Sequence, residues 1–100
     1  MKILCVCSEG NVRSATLARL LKHKGHETLA AGVKRHSPET LKMLIDWADK
    51  VYAVDNDILR EMPLDTEKDI SKTQVFDIGP DIWGEAMHPD LVKKIEEKLK

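Results

Sequence analysis

A chain of 100 residues has room for one domain with a single two- or three-layer core, and none for a separate substrate domain. Its hydrophobic content of 42%, charged content of 33% and formal net charge of −1 describe an ordinary globular protein and exclude the strong positive field that general nucleic-acid or membrane-surface binding needs. No apolar stretch approaches the length of a membrane helix, and the apolar start is too short for a secretory signal and lacks its cleavage pattern, so the expected compartment is the cytoplasm.

The run from Lys2 to Val6 reads as a first strand, and it leads at once into Cys7-Ser8-Glu9-Gly10-Asn11-Val12-Arg13-Ser14. A thiol and a guanidinium five residues apart at the mouth of a strand form a pattern suited to phosphate capture. A loop of that length wraps its N–H groups around one tetrahedral anion, while the thiol approaches from below and the guanidinium forks onto two oxygens. Leu17, Leu20 and Leu21 then mark a helix from about Ser14 to Lys24, with Gly25 as its C-terminal cap. Within the loop, Gly10 tolerates positive φ and Asn11 is expected to supply a structural hydrogen bond. Glu9 is expected to point outward or to pair with a cation, since a carboxylate turned inward repels the anion. Cys5 shares a strand face with Cys7; the pair makes neither a disulfide framework nor a metal set, and Cys5 reads as a buried strand residue.

His26 to Ala31 supplies a second strand ending at Gly32. Lys34, Arg35 and His36 follow it on the edge where open parallel sheets bind ligands; they either attract an acidic or phosphorylated partner or form a solvated basic turn. Ser37-Pro38 starts a helix with Leu41, Leu44, Ile45 and Ala48 on its inner face. Lys50 to Val54 is a third strand, after which Asp55 or Asn56 caps a short helix carrying Ile58, Leu59 and Met62, ended by Pro63. Asp65 to Lys72 reads as polar connection and Gln74-Val75-Phe76 as a fourth strand. Asp77 to Ala86 is a loop rich in Gly and Pro, and Pro89 opens a last helix with Val92, Ile95 and Leu99 inward and the charges of Lys93 to Lys100 in solvent. Strands alternating with helices predict an α/β fold built on a parallel sheet.

Four stretches together resemble the low-molecular-weight protein tyrosine phosphatases over nearly the whole chain: Cys7-x5-Arg13-Ser14 after the first strand, Ala30-Ala31-Gly32, Trp47 to Asp55, and Phe76 to Gly84. The resemblance implies a single domain over residues 1–100, a three-layer α/β/α fold with four parallel strands in the order 2-1-3-4, and a phosphate loop after the first of them. It implies phosphate binding by Ser8, Glu9, Gly10, Asn11, Val12, Arg13 and Ser14, with Cys7 as nucleophile and Arg13 holding the phosphoryl oxygens. Asp81 takes the place of the family's general acid, with Asp77 as fallback, and Trp83 is the best candidate for a pocket wall. Trp47 and Phe76 belong to the core.

Three details depart from the family, one of them the carboxylate that Glu9 puts inside the loop. Asp81 is followed by Ile82 and Trp83 where the family has proline and an aromatic, and Gly10 stands where the family's usual asparagine falls. The implied substrate is a phosphorylated protein or a small aryl phosphate, turned over without metal or other cofactor. His23, His26, His36 and His88 have no metal-ligand spacing and read as surface or capping residues.

Cys7-x-x-Gly10 after a first strand also resembles the IIB phosphocarriers of sugar phosphotransferase systems. Arg13 and Asp81 favour hydrolysis over that alternative, because a carrier has no use for an acid that activates water. Arsenate reduction on the same fold needs a relay of further cysteines, and only Cys5 is present besides Cys7. A non-catalytic phosphate-binding module is the third alternative.

Overall fold

The computed structural model describes residues 1–100. Its strands are β1 (Lys2–Cys7), β2 (Glu27–Gly32), β3 (Lys50–Ala53) and β4 (Thr73–Val75), joined in one parallel sheet in the order β2-β1-β3-β4. β1 takes a central place because Ile3 to Cys7 offers no polar side chain to solvent, and every residue of it after Lys2 is buried. It pairs with β2 from Lys2↔Glu27 to Cys7↔Gly32, and with β3 from Ile3↔Lys50 to Val6↔Ala53. The edge strand β2 alternates between exposed and half-buried residues until Ala31 and Gly32, where the loop after β1 covers it.

The helices are α1 (Arg13–His23), α2 (Pro38–Trp47), α3 (Asn56–Glu61), α4 (Glu67–Ser71) and α5 (Pro89–Leu99). From β1 the chain steps to β2 on one side and then back across to β3 on the other, so right-handed crossovers put α1 and α2 on opposite faces. α5 packs against α1, and α4 is tied to α2 by the Lys42–Asp69 ion pair, which completes three layers. The reversal of direction occurs at β1, and the crevice at such a switch point is where this architecture binds ligands.

The expected caps are present. The Ser37 hydroxyl accepts the Thr40 N–H at 3.2 Å with Pro38 as the first helical residue, and the Asp55 carboxylate accepts the Ile58 N–H at 2.8 Å. His88 Nδ1 accepts the Asp90 N–H at 3.2 Å, opening α5. Leu17, Leu20, Leu21, Leu41, Ile45, Ala48, Ile58 and Ile95 are buried as their spacing predicts, while Leu44, Leu59, Val92, Leu99, Trp47 and Phe76 pack on the margin of the core. No helix is long and apolar enough to cross a membrane.

One segment differs from its expectation. Residues 65–72, read as polar connection, contain α4, capped by the Thr66 hydroxyl on the Asp69 N–H at 3.1 Å. No apolar stripe announces this helix, because its one large apolar residue, Ile70, is itself 59% exposed. Polar contacts hold it in place. Asp69, 1% exposed, accepts from Lys42 and from the Asp65 N–H, and Lys72 donates to the carbonyls of Ile45 and Ala48 at the end of α2. The fourth strand begins one residue earlier than expected, at Thr73, and Phe76 lies just outside it, though its N–H still donates to the Ala53 carbonyl at 2.8 Å.

The hydrogen bond from Lys42 is the largest influence on the Asp69 carboxyl; it outweighs burial and, with the Asp65 N–H, holds the group below its ordinary value. A depressed carboxyl contributes stability that is whole above its unfolded value of about 4 and is lost as pH falls through the folded value. Thermal unfolding should therefore show a steeper decline of Tm from about pH 4 downward in the unmodified chain than in Asp69→Asn. Parallel declines in the two proteins would rule this contribution out.

Candidate active site

The loop from Ser8 to Val12 joins the carboxyl end of β1 to α1 and lies flat against the end of β2. Two glycines make that contact possible. Gly10 turns at φ 77°, and a Cβ on it would stand 2.8 Å from the Ala31 carbonyl carbon; a Cβ on Gly32 would stand 2.3 Å from the Glu9 carbonyl carbon and 2.6 Å from the Ser8 oxygen. The sheet ladder continues past the strands, with the Val33 N–H donating to Cys7 O at 2.9 Å and the Lys34 N–H to Ser8 O at 2.8 Å. The loop is thus clamped by backbone on its β2 side.

Cys7, 3% exposed, has its sulfur at the centre of this turn. The Gly10 N–H donates to Sγ at 3.1 Å, and the Ser14 hydroxyl lies 3.0 Å away, closer than it lies to Ala31 O at 3.4 Å. Either Cys7 or Ser14 can be the donor in the second contact. No side chain caps the N-terminus of α1 behind it.

Arg13 is 3% exposed and is held on one side only. Nη1 donates to Asp55 Oδ2 at 2.7 Å and to the Gly79 carbonyl at 2.8 Å. Nη2 has one long contact, 3.4 Å to Ser8 Oγ, and Nε is buried with no partner. Leaving a buried charged donor unsatisfied costs about 1–3 kcal/mol or more. The open Nε–Nη2 edge is the planar fork that matches two oxygens of a phosphate.

Asp55 caps α3 with Oδ1 and neutralises Arg13 with Oδ2. Burial pushes its carboxyl up, yet the Ile58 N–H and the hydrogen bond and charge of Arg13 together hold it below its ordinary value. The loop after β4 is fastened to the same guanidinium. Asp77 accepts the Gly79 N–H at 2.9 Å, a turn-capping contact, and so presents the Gly79 carbonyl to Arg13. At its far end this loop is fixed by Thr16, a fully buried residue of α1, which accepts the Met87 N–H at 2.9 Å and donates to Val12 O at 2.7 Å.

Asp81 lies between these two anchors, exposed and with no hydrogen bond or ion pair to the rest of the chain. Ile82 beside it is 71% exposed. Trp83 is half-buried; its ring centroid is 5.8 Å from that of His88 and the Lys94 ammonium is 5.9 Å from it, while the indole N–H is buried without an acceptor.

Ser8, Gly10 and Val12 are half-buried in the loop, Arg13 and Ser14 buried, and Glu9 faces solvent as expected, without an ion pair. Asn11 corrects the sequence expectation. Its side chain is exposed and makes no hydrogen bond, and the struts of the site come instead from Gly10, Ser14 and Asp55. Cys5 is fully buried, and burial, then the charge of Cys7, push its thiol up to about 12, so it offers no ready partner for that sulfur. His36 closes the turn after β2 by accepting the Gly32 N–H on Nδ1 at 3.1 Å. Sequence reasoning missed three supports: Asp55 as counter-ion to Arg13, the Gly79 carbonyl, and Thr16. For Asp55 the signal was available in its place at the carboxyl end of β3, on the same edge as the loop.

No family model and no curated protein matches the sequence. Among solved structures, the chain is similar to the C7S mutant of YwlE arginine phosphatase with a phosphorylated active-site serine, with a TM-score of 0.70 and 16% identity over 99% of this chain and 91% of that one. It is also similar to YwlE arginine phosphatase from Geobacillus stearothermophilus, with a TM-score of 0.63 and 24% identity over 98% and 89% of the two chains. A YwlE mutant from Bacillus subtilis gives a TM-score of 0.62 and 17% identity over 98% and 90%. The three share the fold of this chain.

Gly32→Ala should break the backbone contact beneath the loop. Overpacking of this kind costs about 1–3 kcal/mol, which for a domain of this size lowers Tm by on the order of 5 °C or more. Calorimetric titration with orthophosphate should show weakened binding in the same variant. An unchanged Tm together with unchanged phosphate affinity would contradict the role given to this contact.

Proposed function

We propose that the chain is a metal-independent protein phosphatase of the low-molecular-weight protein tyrosine phosphatase type, acting through a phosphocysteine on Cys7. One observation carries the proposal: the Nε–Nη2 edge of Arg13 is buried with Nε unpartnered and Nη2 held only by a 3.4 Å contact to Ser8 Oγ, at the same turn as a sulfur that already holds two hydrogen-bond contacts. A phosphate dianion gives that edge its acceptors and gives the sulfur an electrophile. The fold shared with YwlE arginine phosphatases, one of them with a phosphorylated active-site serine in its C7S form, supports the reading.

In the first step the Cys7 thiolate attacks phosphorus, the bond to the leaving group breaks, and Asp81 gives its proton to the departing atom. In the second, water attacks phosphorus, the S–P bond breaks, and the water proton passes to the Asp81 carboxylate as orthophosphate leaves. Arg13 and the loop N–H groups stabilise the equatorial oxygens through both steps, which is the charge a metal ion supplies in other phosphoryl-transfer enzymes. Asp55 keeps the guanidinium in place.

The leaving group distinguishes two substrate classes. Phosphotyrosine fits the resemblance read from the sequence, with Trp83 as the aromatic wall. Phosphoarginine is favoured by a separate observation: the loop carrying Asp81 also exposes Asp77 and Glu85, an acidic rim complementary to a guanidinium, and the neighbouring folds are arginine phosphatases.

Hydrolysis of an aryl phosphate, a phosphotyrosine peptide and a phosphoarginine peptide, each in the presence of a chelator, tests the proposal. Cys7→Ser is expected to abolish turnover while keeping orthophosphate binding, and Asp81→Asn to slow aryl phosphate hydrolysis by about 10²–10⁴-fold. Turnover surviving in Cys7→Ser, or abolished by the chelator, would refute the mechanism. A stable phosphoprotein with no turnover would instead identify a carrier.

A further inference from the structure

The turn after β2 carries cations that the reaction above does not use. It is rigid and joined to the phosphate loop: Arg35 and His36 return their N–H groups to the Gly32 carbonyl at 3.2 and 3.0 Å, His36 Nδ1 holds the Gly32 N–H, and Lys34 donates its own N–H to Ser8 O. The backbone of Lys34 and Arg35 is therefore anchored beside the Ser8–Val12 loop. Both are exposed, and neither belongs to any of the ion pairs of the molecule. In a chain of net charge −1, two unneutralised cations beside an anion site are a local departure. Glu9, in the loop that Lys34 bonds to, and Glu39, four residues after Arg35, are likewise exposed and in no ion pair.

The opposite side has the other sign. The loop after β4 exposes Asp77, Asp81 and Glu85, and the strand order β2-β1-β3-β4 puts it and the Lys34–Arg35 turn on opposite sides of Cys7. A polypeptide crossing the cradle meets cations at one end and carboxylates at the other.

We propose that Lys34 and Arg35 form a second anion subsite, which receives an acidic side chain flanking the phosphorylated residue of a protein substrate. The inference rests on the proposed function only in taking the cradle to hold that residue's phosphate. Because both cations are solvated, the contribution is modest, sensitive to salt, and directed to choice of substrate rather than to chemistry.

The test measures fluorescence polarisation of two labelled phosphotyrosine peptides, one flanked by glutamates and one by alanines, on the Cys7→Ser chain. At low salt the acidic peptide is expected to bind about 5–10-fold more tightly, a preference that the double variant Lys34→Gln, Arg35→Gln removes and high salt suppresses. Hydrolysis of p-nitrophenyl phosphate by the Cys7 form of that double variant should stay within about 2-fold of the unmodified chain, since so small a substrate does not reach the turn. Equal affinity for the two peptides, no binding of the acidic one, or a preference that survives the double variant would overturn the subsite. Failure of p-nitrophenyl phosphate hydrolysis in the unmodified chain would remove the catalytic proposal alone, because the peptide preference is read from binding.

Discussion

The ion pair between Arg13 and Asp55 is the constraint on which the site depends. A guanidinium buried to this degree needs a counter-charge, and Asp55 supplies it from the end of β3 while the Gly79 carbonyl occupies the same Nη1. Three segments far apart in sequence, the loop after β1, the end of β3 and the loop after β4, thereby converge on one nitrogen. Because the two short contacts lie on that nitrogen, the other edge of the fork keeps only the long contact from Nη2 to Ser8 Oγ, and Nε has no partner. The pairing both fixes the arginine and orients it.

The remaining contacts extend this arrangement outward. Thr16 secures the far end of the loop after β4, so Asp81 is suspended between two fixed points and free of internal partners. On the β2 side, backbone hydrogen bonds and the Gly10–Gly32 approach do the same for the turn bearing Lys34 and Arg35. Cys7 and Arg13 stand at the end of β1 and the start of α1, while Asp81, Lys34 and Arg35 sit on loops whose bases are tied to the rest of the molecule by polar contacts.

Much of this was legible in the sequence because the relevant signals are local. The apolar run of β1, the capping residues Ser37 and Asp55, the helical spacing of Leu17, Leu20 and Leu21, and the Cys7–Arg13 separation each speak through neighbours in the chain, and each matches the structure. What escaped was non-local or lacked an apolar pattern. α4 has no buried stripe and is held by Asp69 and by the reach of Lys72 to α2, partners 24 to 27 residues away. Asp55 was read as a cap, which it is, but its second oxygen serves Arg13, 42 residues earlier, and no periodicity encodes that. Asn11 was given a strut by its residue type, whereas the fold turns it to water and builds the strut from backbone.

The two glycines where the Ser8–Val12 loop meets β2 carry a broader consequence. Where main chain presses on main chain, the floor of the cradle is drawn by peptide groups whose shape is the same whatever side chains surround them. Substitution can then rewrite the surrounding walls while that floor keeps its contour. Solved proteins 16 to 24% identical to this chain share its fold, and contacts made by backbone alone leave the side chains around them free to differ while the main chain keeps its path.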